Sequence, residues 1–244
     1  MECSNHNFHE LSLDNPITPK TSFLLDAVVN FVFEDYSNDI WNEEGRIGPS
    51  DVGFHKECAG SFEYKDGLEI SSKDNFSTVY SDTCIYDGKW QYEVLLGSKG
   101  VMQIGWATIN CTFSQENGVG DTRSSYAYDG NRQRKWNSST SKYGELWSIG
   151  DVISSTIDLE KGEIAYYRNG RSMGIAFKNI PTGPGIAYFP AFSLAMDESL
   201  VVNFGGTPFC YPIHGFRSLQ APPEPQLHVA KMCFKWLDKL VLLS

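Results

Sequence analysis

The sequence predicts an all-β fold, an antiparallel β-sandwich that carries a helical extension at each end. Between about residues 58 and 206, apolar and polar residues alternate with a period of two, and turn residues separate the short aromatic and β-branched runs. The pairs Lys161-Gly162 and Asn169-Gly170 lie between such runs, and Asn-Gly readily adopts the positive φ angles of a tight hairpin turn. A chain of 244 residues is long enough to build one large all-β domain with extensions.

The same alternation predicts individual strands. Two segments predict central strands, because each places a row of large apolar side chains on one face: Trp90, Tyr92, Val94 and Leu96 in KWQYEVLL, and Met102, Ile104 and Trp106 in VMQIGWAT. The segment YFPAFSLAMDESLVVNFGG predicts two further strands around a tip at residues 196–198. Pro190 lacks a backbone donor, so we expect an edge strand or a bulge around it.

The flanks have a different pattern. Residues 1–44 comprise a polar tail followed by apolar residues at spacings of three and four, which predict an amphipathic helix over 19–36. Residues 207–244 begin with a Pro-rich stretch and end in a second helical pattern over 226–243. We therefore place the sandwich domain at 45–206, between these two extensions.

The stretch SSYAYDGNRQRKWN, at 124–137, combines three aromatic rings with a short basic run. The formal net charge of the chain is −10, which opposes binding to phosphate backbones and to anionic lipid surfaces. We expect Tyr126, Tyr128 and Trp136 to be core residues of two strands, with Arg132 and Arg134 pointing to solvent. No nucleic-acid or membrane partner is expected.

Composition and motifs also bear on chemistry. The chain has neither a secretory signal nor an apolar run long enough to span a bilayer, so we expect a cytoplasmic protein with reduced cysteines. No nucleophile elbow, phosphate-binding loop or HExxH motif is present. Cys3, His6 and His9 have ligand-like spacing without a fourth partner, which does not make a zinc site. We predict no catalytic residue, no metal and no cofactor in this chain.

Four motifs in order, W-x-Y-E-V, Q-I-G-W, S-Y-A-Y-D-G and G-D-V-I followed by Y-x-N-G-x-x-x-G-x-A-F, make residues 60–206 similar to the SPRY domain, a protein-interaction sandwich of the concanavalin-like B30.2 class. Within that family, GRIGPSDV and FRSLQAPP add a resemblance to the N-terminal SPRY region of RING-type ubiquitin ligases of the Kip ubiquitination-promoting type. The six cysteines do not form the paired pattern of a RING, so any RING and its zinc are expected only in a longer parent.

The resemblance implies that loops at one edge of the sandwich bind a protein or short peptide and recruit it to the ubiquitination machinery. By position, these loops are 71–76, 98–100, 119–132 and 195–199. The residues expected to contact the partner are Ser72, Lys73, Asp74, Gly100, Asp121, Arg123, Tyr126, Asp129, Met196 and Asp197. Two alternatives stay open at this point: a SPRY scaffold of the Ran-binding-protein type, and a lectin-like sandwich that binds carbohydrate.

Overall fold

The computed structural model describes residues 45–65 and 68–220, so the predicted helices at 19–36 and 226–243 lie outside the described residues. All regular secondary structure in this part of the chain is β. The strands are β1 (Arg46–Ile47), β2 (Phe62–Lys65), β3 (Glu69–Ser72), β4 (Phe76–Tyr80), β5 (Cys84–Ile85), β6 (Lys89–Leu96), β7 (Met102–Thr108), β8 (Ser125–Asp129), β9 (Arg134–Trp136), β10 (Thr140–Lys142), β11 (Val152–Asp158), β12 (Glu163–Arg168), β13 (Arg171–Lys178), β14 (Tyr188–Ala195), β15 (Ser199–Asn203) and β16 (Arg217–Ser218).

These strands form two sheets packed face to face. The first sheet has the order β1-β5-β14-β7-β8-β9-β10, and β4 pairs with β14 beside β5. The second sheet has the order β13-β12-β11-β6-β15-β3-β2, and the short β16 runs parallel to β6. Every other strand pair among the described residues is antiparallel. The predicted antiparallel sandwich is confirmed.

Large aromatic side chains fill the space between the sheets, and their polar atoms are hydrogen-bonded across it. Tyr92 Oη donates to the carbonyl oxygen of Gly105 (2.8 Å), and Trp106 Nε1 donates to Ser155 Oγ (2.9 Å). Both aromatic side chains are fully buried, as the alternation in β6 and β7 predicted. Burial of each such ring stabilises the fold by roughly 1.5–3 kcal/mol, and the paired polar atoms avoid the cost of unsatisfied donors.

The aromatic and basic stretch at 124–137 forms the hairpin of β8 and β9. Tyr126 and Tyr128 belong to the core between the sheets, whereas Trp136 packs on the outer face of the first sheet in a separate cluster with Val119 and Ala127. Arg132 is exposed and places its guanidinium 4.4 Å from the ring centre of Trp136. The basic run therefore belongs to the architecture of this hairpin, although Trp136 faces away from the core in which we expected it.

The hairpin between β12 and β13 forms where the sequence predicted it, because its two turn residues favour the required backbone angles. Asn169 and Gly170 both have positive φ angles, 49° and 76°, as a two-residue type I′ turn requires. The Asn169 side chain also accepts a hydrogen bond from the backbone N–H of Val152 (2.8 Å) and donates to Asp151 Oδ1 (2.8 Å). The turn is thus fixed both by backbone preference and by side-chain contacts.

Pro190 lies in the middle of β14, between β7 and the strands on its other side, so the expectation of an edge strand was wrong. On that other side, β14 pairs with β5 at Tyr188 and with β4 from Ala191 onward. Pro190 falls at the break between these two partners. Its carbonyl oxygen still accepts a hydrogen bond from the backbone N–H of Ser81 (2.9 Å). The missing donor therefore interrupts no strand pairing.

The packed unit continues past Gly206, where the sequence suggested that the domain ends. The buried carboxylate of Glu93 accepts hydrogen bonds from the backbone N–H groups of Cys210 (2.8 Å) and Tyr211 (2.7 Å). The side-chain oxygen of Gln91 accepts a third, from the backbone N–H of Ile213 (2.8 Å). Polar side chains on the outer face of β6 thus hold the segment 207–216 against the second sheet.

Arg46 joins the two ends of this unit. Its fully buried guanidinium donates to the carbonyl oxygens of Gly48 (3.1 Å), Pro49 and Leu219. Three carbonyl acceptors satisfy a cation that would be costly to bury alone. Arg46 therefore helps to hold together the strand that enters the sandwich and the segment that leaves it, as does Gln220, which accepts from the N–H of Val52 and donates to Asp51.

Candidate functional site

Turns from several strands meet at one edge of the sandwich, which we call the loop edge and define by residues 72–76, 97–101, 129–133, 143–151 and 195–199. Backbone hydrogen bonds tie these turns together. The N–H of Ser72 donates to Glu198 O (3.0 Å), and the N–H of Asp197 donates back to Ser72 O (3.1 Å). The N–H of Ala195 donates to Val101 O (3.0 Å). Backbone conformation at the loop edge is therefore set by the fold itself.

Glu198 organises the turn between β6 and β7. Its carboxylate accepts hydrogen bonds from the backbone N–H of Gly100 (2.7 Å) and from Ser98 Oγ. A Cβ atom on residue 100 would lie 1.8 Å from Glu198 Oε1, closer than real atoms approach. Gly100, which we expected to contact a partner, leaves room for the Glu198 carboxylate, which a side chain at this position would displace. Its contact with a partner stays a prediction.

Met196 and Asp197 form the tip of the connection between β14 and β15, which crosses from the first sheet to the second. Met196 leaves 48% of its surface exposed. Asp197 is exposed and has a φ angle of 63°, in the left-handed region that Asp tolerates better than most residues. An apolar and a charged side chain are thus presented next to each other on a fixed backbone.

Charged side chains lie beside this tip. Lys73 Nζ pairs with the carboxylate of Glu63 (2.6 Å), and Asp74 Oδ2 accepts a hydrogen bond from Gln115 Nε2 (3.1 Å). The hydrogen bond that Lys73 donates to Glu63 raises the pKa of Lys73, to which the charge of Asp197 also contributes, and the same hydrogen bond lowers the pKa of Glu63. Both groups are charged at neutral pH. The loop edge therefore combines an exposed thioether with charges of both signs.

Two further predicted residues are buried in the fold. Ser72 Oγ donates to Asp74 O (3.0 Å) and to Ser77 Oγ (2.9 Å), which shapes the turn after β3. Asp129 accepts hydrogen bonds from the backbone N–H of Arg132 (3.0 Å) and from its guanidinium, and burial raises the pKa of Asp129 against these contacts. Both side chains hold loops in place, and any direct contact with a partner stays a prediction.

The other three predicted residues lie away from this tip. Asp121 Oδ2 accepts a hydrogen bond from the backbone N–H of Gly118 (2.8 Å), in a segment that packs on the outer face of the first sheet through a hydrogen bond from Val119 to Ser193. Arg123 and Tyr126 lie at the end of the sandwich opposite the loop edge, because β8 begins where β7 ends. The structure thus separates the ten predicted residues into different regions.

Sequence reasoning missed two exposed apolar residues of the segment 143–151. Trp147 Nε1 donates to Lys99 O (3.2 Å), which fixes this segment at the loop edge. Its neighbours Leu146 and Ile149 leave 55% and 63% of their surfaces exposed. The available signal was the sequence ELWSIG, in which three apolar residues occur within a turn-rich stretch.

A metal site would need several ligating side chains close together within residues 45–65 and 68–220. No His, Cys, Asp and Glu side chains in this part are grouped so that three or more could hold a metal ion. Cys58, Cys84, Cys111 and Cys210 are free thiols, of which Cys84 is buried and Cys58 and Cys210 are exposed. The described residues also contain no helix that is long and apolar enough to cross a bilayer.

Two packed antiparallel sheets with hydrogen-bonded turns gathered at one edge define a protein-interaction sandwich of the SPRY class. Residues 89–207 match the SPRY domain family, so this chain contains a SPRY domain, which is a non-catalytic module. The chain is 46% identical over 180 residues, 72% of its length, to the E3 ubiquitin-protein ligase RKP of Arabidopsis thaliana. This match spans 14% of that relative. The resemblance to SPRY domains of ubiquitin ligases, drawn from sequence motifs, is confirmed.

Proposed function

We propose that this chain recruits a protein or short peptide to a ubiquitin ligase in the cytoplasm, and that the loop edge is its binding surface. Similarity to a ubiquitin ligase supports the connection to ubiquitination, and the SPRY domain supports a role in protein binding. The observation that carries the choice of surface is the exposed Met196 on a backbone held by hydrogen bonds from neighbouring turns.

Ordered turns and an adaptable side chain both favour binding at the loop edge. Because the turns are already ordered, binding costs less conformational entropy than it would for mobile loops. The unbranched side chain of Met196 can adapt its shape to an apolar side chain of the partner. Lys73, Asp74 and Asp197 would then fix orientation by pairing with charges on either side of that apolar anchor.

Two substitutions and a matched control test the surface. Met196→Ala removes the apolar anchor, and Asp197→Asn removes the charge while keeping a residue that tolerates a positive φ angle. Ile175→Ala serves as the control, since Ile175 is an exposed apolar residue on β13 with 41% of its surface accessible. The chain 1–244 and each variant would be used to capture binding proteins, with quantification by mass spectrometry.

We expect the double variant Met196→Ala, Asp197→Asn to lose a defined set of binding proteins that the Ile175→Ala variant retains. Those proteins should also carry less ubiquitin in cells that express the double variant in place of the unsubstituted protein. If a correctly folded double variant retains all of the binding proteins, the loop edge is not the binding site. If the double variant loses these binding proteins but the amount of ubiquitin on them does not change, the loop edge binds them without recruiting them to the ligase.

We further propose that ubiquitin transfer belongs to a RING domain of a longer parent rather than to this sandwich. The isolated chain 1–244 should therefore leave a ubiquitin-charged conjugating enzyme intact. Discharge can be followed on non-reducing gels, with an active RING domain as the positive control. Discharge by the purified chain above the rate of the uncatalysed reaction would contradict this assignment.

A further inference from the structure

A second concave surface lies at the end of the sandwich opposite the loop edge, and we call it the distal cleft. It is lined by residues of 108–110, 123–126, 181 and 185–188 and has a volume of about 220 Å³. Tyr188 pairs with Thr108 at this end of the first sheet, whereas the Met196 tip follows the other end of β14. Eight residues of β14 separate the two regions by roughly 23 Å at the rise of an extended strand.

The charge of the distal cleft is opposite in sign to that of the whole chain. Arg123 contributes the one charged side chain among the lining residues described, and none of these lining residues is acidic. Arg123 is exposed, and its guanidinium makes no ion pair within residues 45–65 and 68–220. In a chain with a formal net charge of −10, the lining of this cleft is therefore locally positive.

The backbone that carries Arg123 is fixed in place. Asn137 Nδ2 donates to the carbonyl oxygens of Ser125 (2.8 Å) and Arg123 (3.2 Å). Neither of these contacts uses the Arg123 guanidinium, whose forked donors match the oxygens of a carboxylate or phosphate. The backbone of Arg123 is therefore held at the cleft, and within residues 45–65 and 68–220 its guanidinium makes no hydrogen bond of its own.

The walls of the distal cleft suit a ring-sized apolar group. Tyr126 and Tyr188 lie together at its base with ring centroids 6.3 Å apart, and Ile109 and Ile186 also line it. Tyr188 Oη donates to Pro181 O (2.7 Å), which anchors the segment that closes one side. Burial raises the pKa of both phenols, so they remain neutral at physiological pH. A cavity of about 150 Å³ holds benzene in another protein, so this volume accommodates a ring with a substituent.

We infer that the distal cleft binds a compact aryl anion, with the ring against Tyr126, Tyr188 and Ile186 and the carboxylate or phosphate oxygens on Arg123. This site is separate from the loop edge and does not depend on the function proposed for that surface. The anion could be a free small molecule or a phosphorylated aromatic side chain of a peptide, since both present the same chemistry.

The test is a titration of the isotope-labelled chain 1–244 with phenyl phosphate, followed by the backbone amide signals in NMR spectra. Phenol and inorganic phosphate, each added alone, separate the contributions of ring and charge. We expect phenyl phosphate to shift the signals of 108–110, 123–126 and 185–188 and to bind at least about tenfold more tightly than either fragment. Loss of the charged hydrogen bonds in Arg123→Gln should weaken binding about tenfold or more.

Two further variants sharpen the result. Lys142→Gln is the matched control, because Lys142 is an exposed cation on β10, outside the residues that line the cleft, and we expect its affinity to equal that of the parent. Asn110→Trp places a large side chain at an exposed position of the lining and should exclude the ring. Signal shifts outside the cleft, or equal affinities for Arg123→Gln and the parent, would overturn the inference. Tighter binding of a short phosphotyrosine peptide than of phenyl phosphate would identify a peptide as the source of the anion, and weaker binding a free small molecule.

Discussion

The interior around Trp106 and the loop edge around Met196 use hydrogen bonds for different purposes. Between the sheets, side-chain atoms are bonded across the core, and the aromatic rings that carry them are fully buried. At the loop edge, hydrogen bonds of the backbone to itself and to side chains such as Glu198 hold the turns, and side chains such as Met196 project into solvent. The comparison separates side chains that fill the interior from exposed side chains that hydrogen-bonded turns present to solvent.

Trp106→Ala tests the interior and should have the largest effect. The substitution removes a fully buried indole and its hydrogen bond to Ser155 Oγ, and leaves a cavity between β7 and β11. We expect a loss of about 3–5 kcal/mol in the free energy of unfolding. Urea denaturation of the chain 1–244, followed by tryptophan fluorescence and circular dichroism, measures it. A variant that unfolds at the same urea concentration as the parent would contradict the packing described for Trp106.

Gly100→Ala tests the backbone of the loop edge and should have an intermediate effect. A methyl group at residue 100 forces the carboxylate of Glu198 away and breaks its hydrogen bond to the backbone N–H. We expect a loss of about 1–3 kcal/mol in the free energy of unfolding. The double variant Gly100→Ala, Glu198→Ala lacks the clash, so its loss should be smaller than the sum of the two single losses. Strict additivity in this cycle would show that the contact is not energetically important.

Met196→Ala and Asp197→Asn test the exposed side chains of the loop edge and should have the smallest effect on stability. Both side chains are solvent-exposed, and neither is part of the core between the sheets. We expect each substitution to change the free energy of unfolding by less than about 0.5 kcal/mol. Thermal unfolding of each variant, compared with that of the Ile175→Ala control, measures the change in stability. A loss above about 2 kcal/mol would mean that the side chains of the tip support the fold, as those of the interior do.

The strands and one hairpin could be predicted from the sequence because their signals are local. Alternation in KWQYEVLL placed Trp90 and Tyr92 in the core, and Asn169-Gly170 specified its own turn. Pro190 misled the prediction because a missing donor matters only where a partner strand needs it. In β14 that position falls at the break between two partners, which no property of residues 188–195 reveals.

The composition of the candidate site was less predictable, because it depends on which sheet each strand joins. Lys73, Asp74, Met196 and Asp197 meet only because the connection after β14 crosses to the second sheet and pairs beside β3. Arg123 was expected among them, yet the antiparallel register of β7 and β8 places it at the other end. Whether any of these residues binds a partner stays a prediction until the variants are measured.

The contacts of Arg46 determine how the sandwich can be connected to other domains. Since this side chain binds Leu219 near the exit of the chain, both covalent attachments of residues 45–220 leave from the same place on the surface. Such a module can be inserted into a longer polypeptide without spreading its neighbours apart. A pulling force applied through those attachments would act on the contacts of Arg46 and Gln220, which join residues 46–52 to residues 219–220. Arg46 pairs with Ile85, which pairs with Tyr188 at the end of β14 opposite the Met196 tip, so neighbouring domains attached at residues 45 and 220 start far from the loop edge.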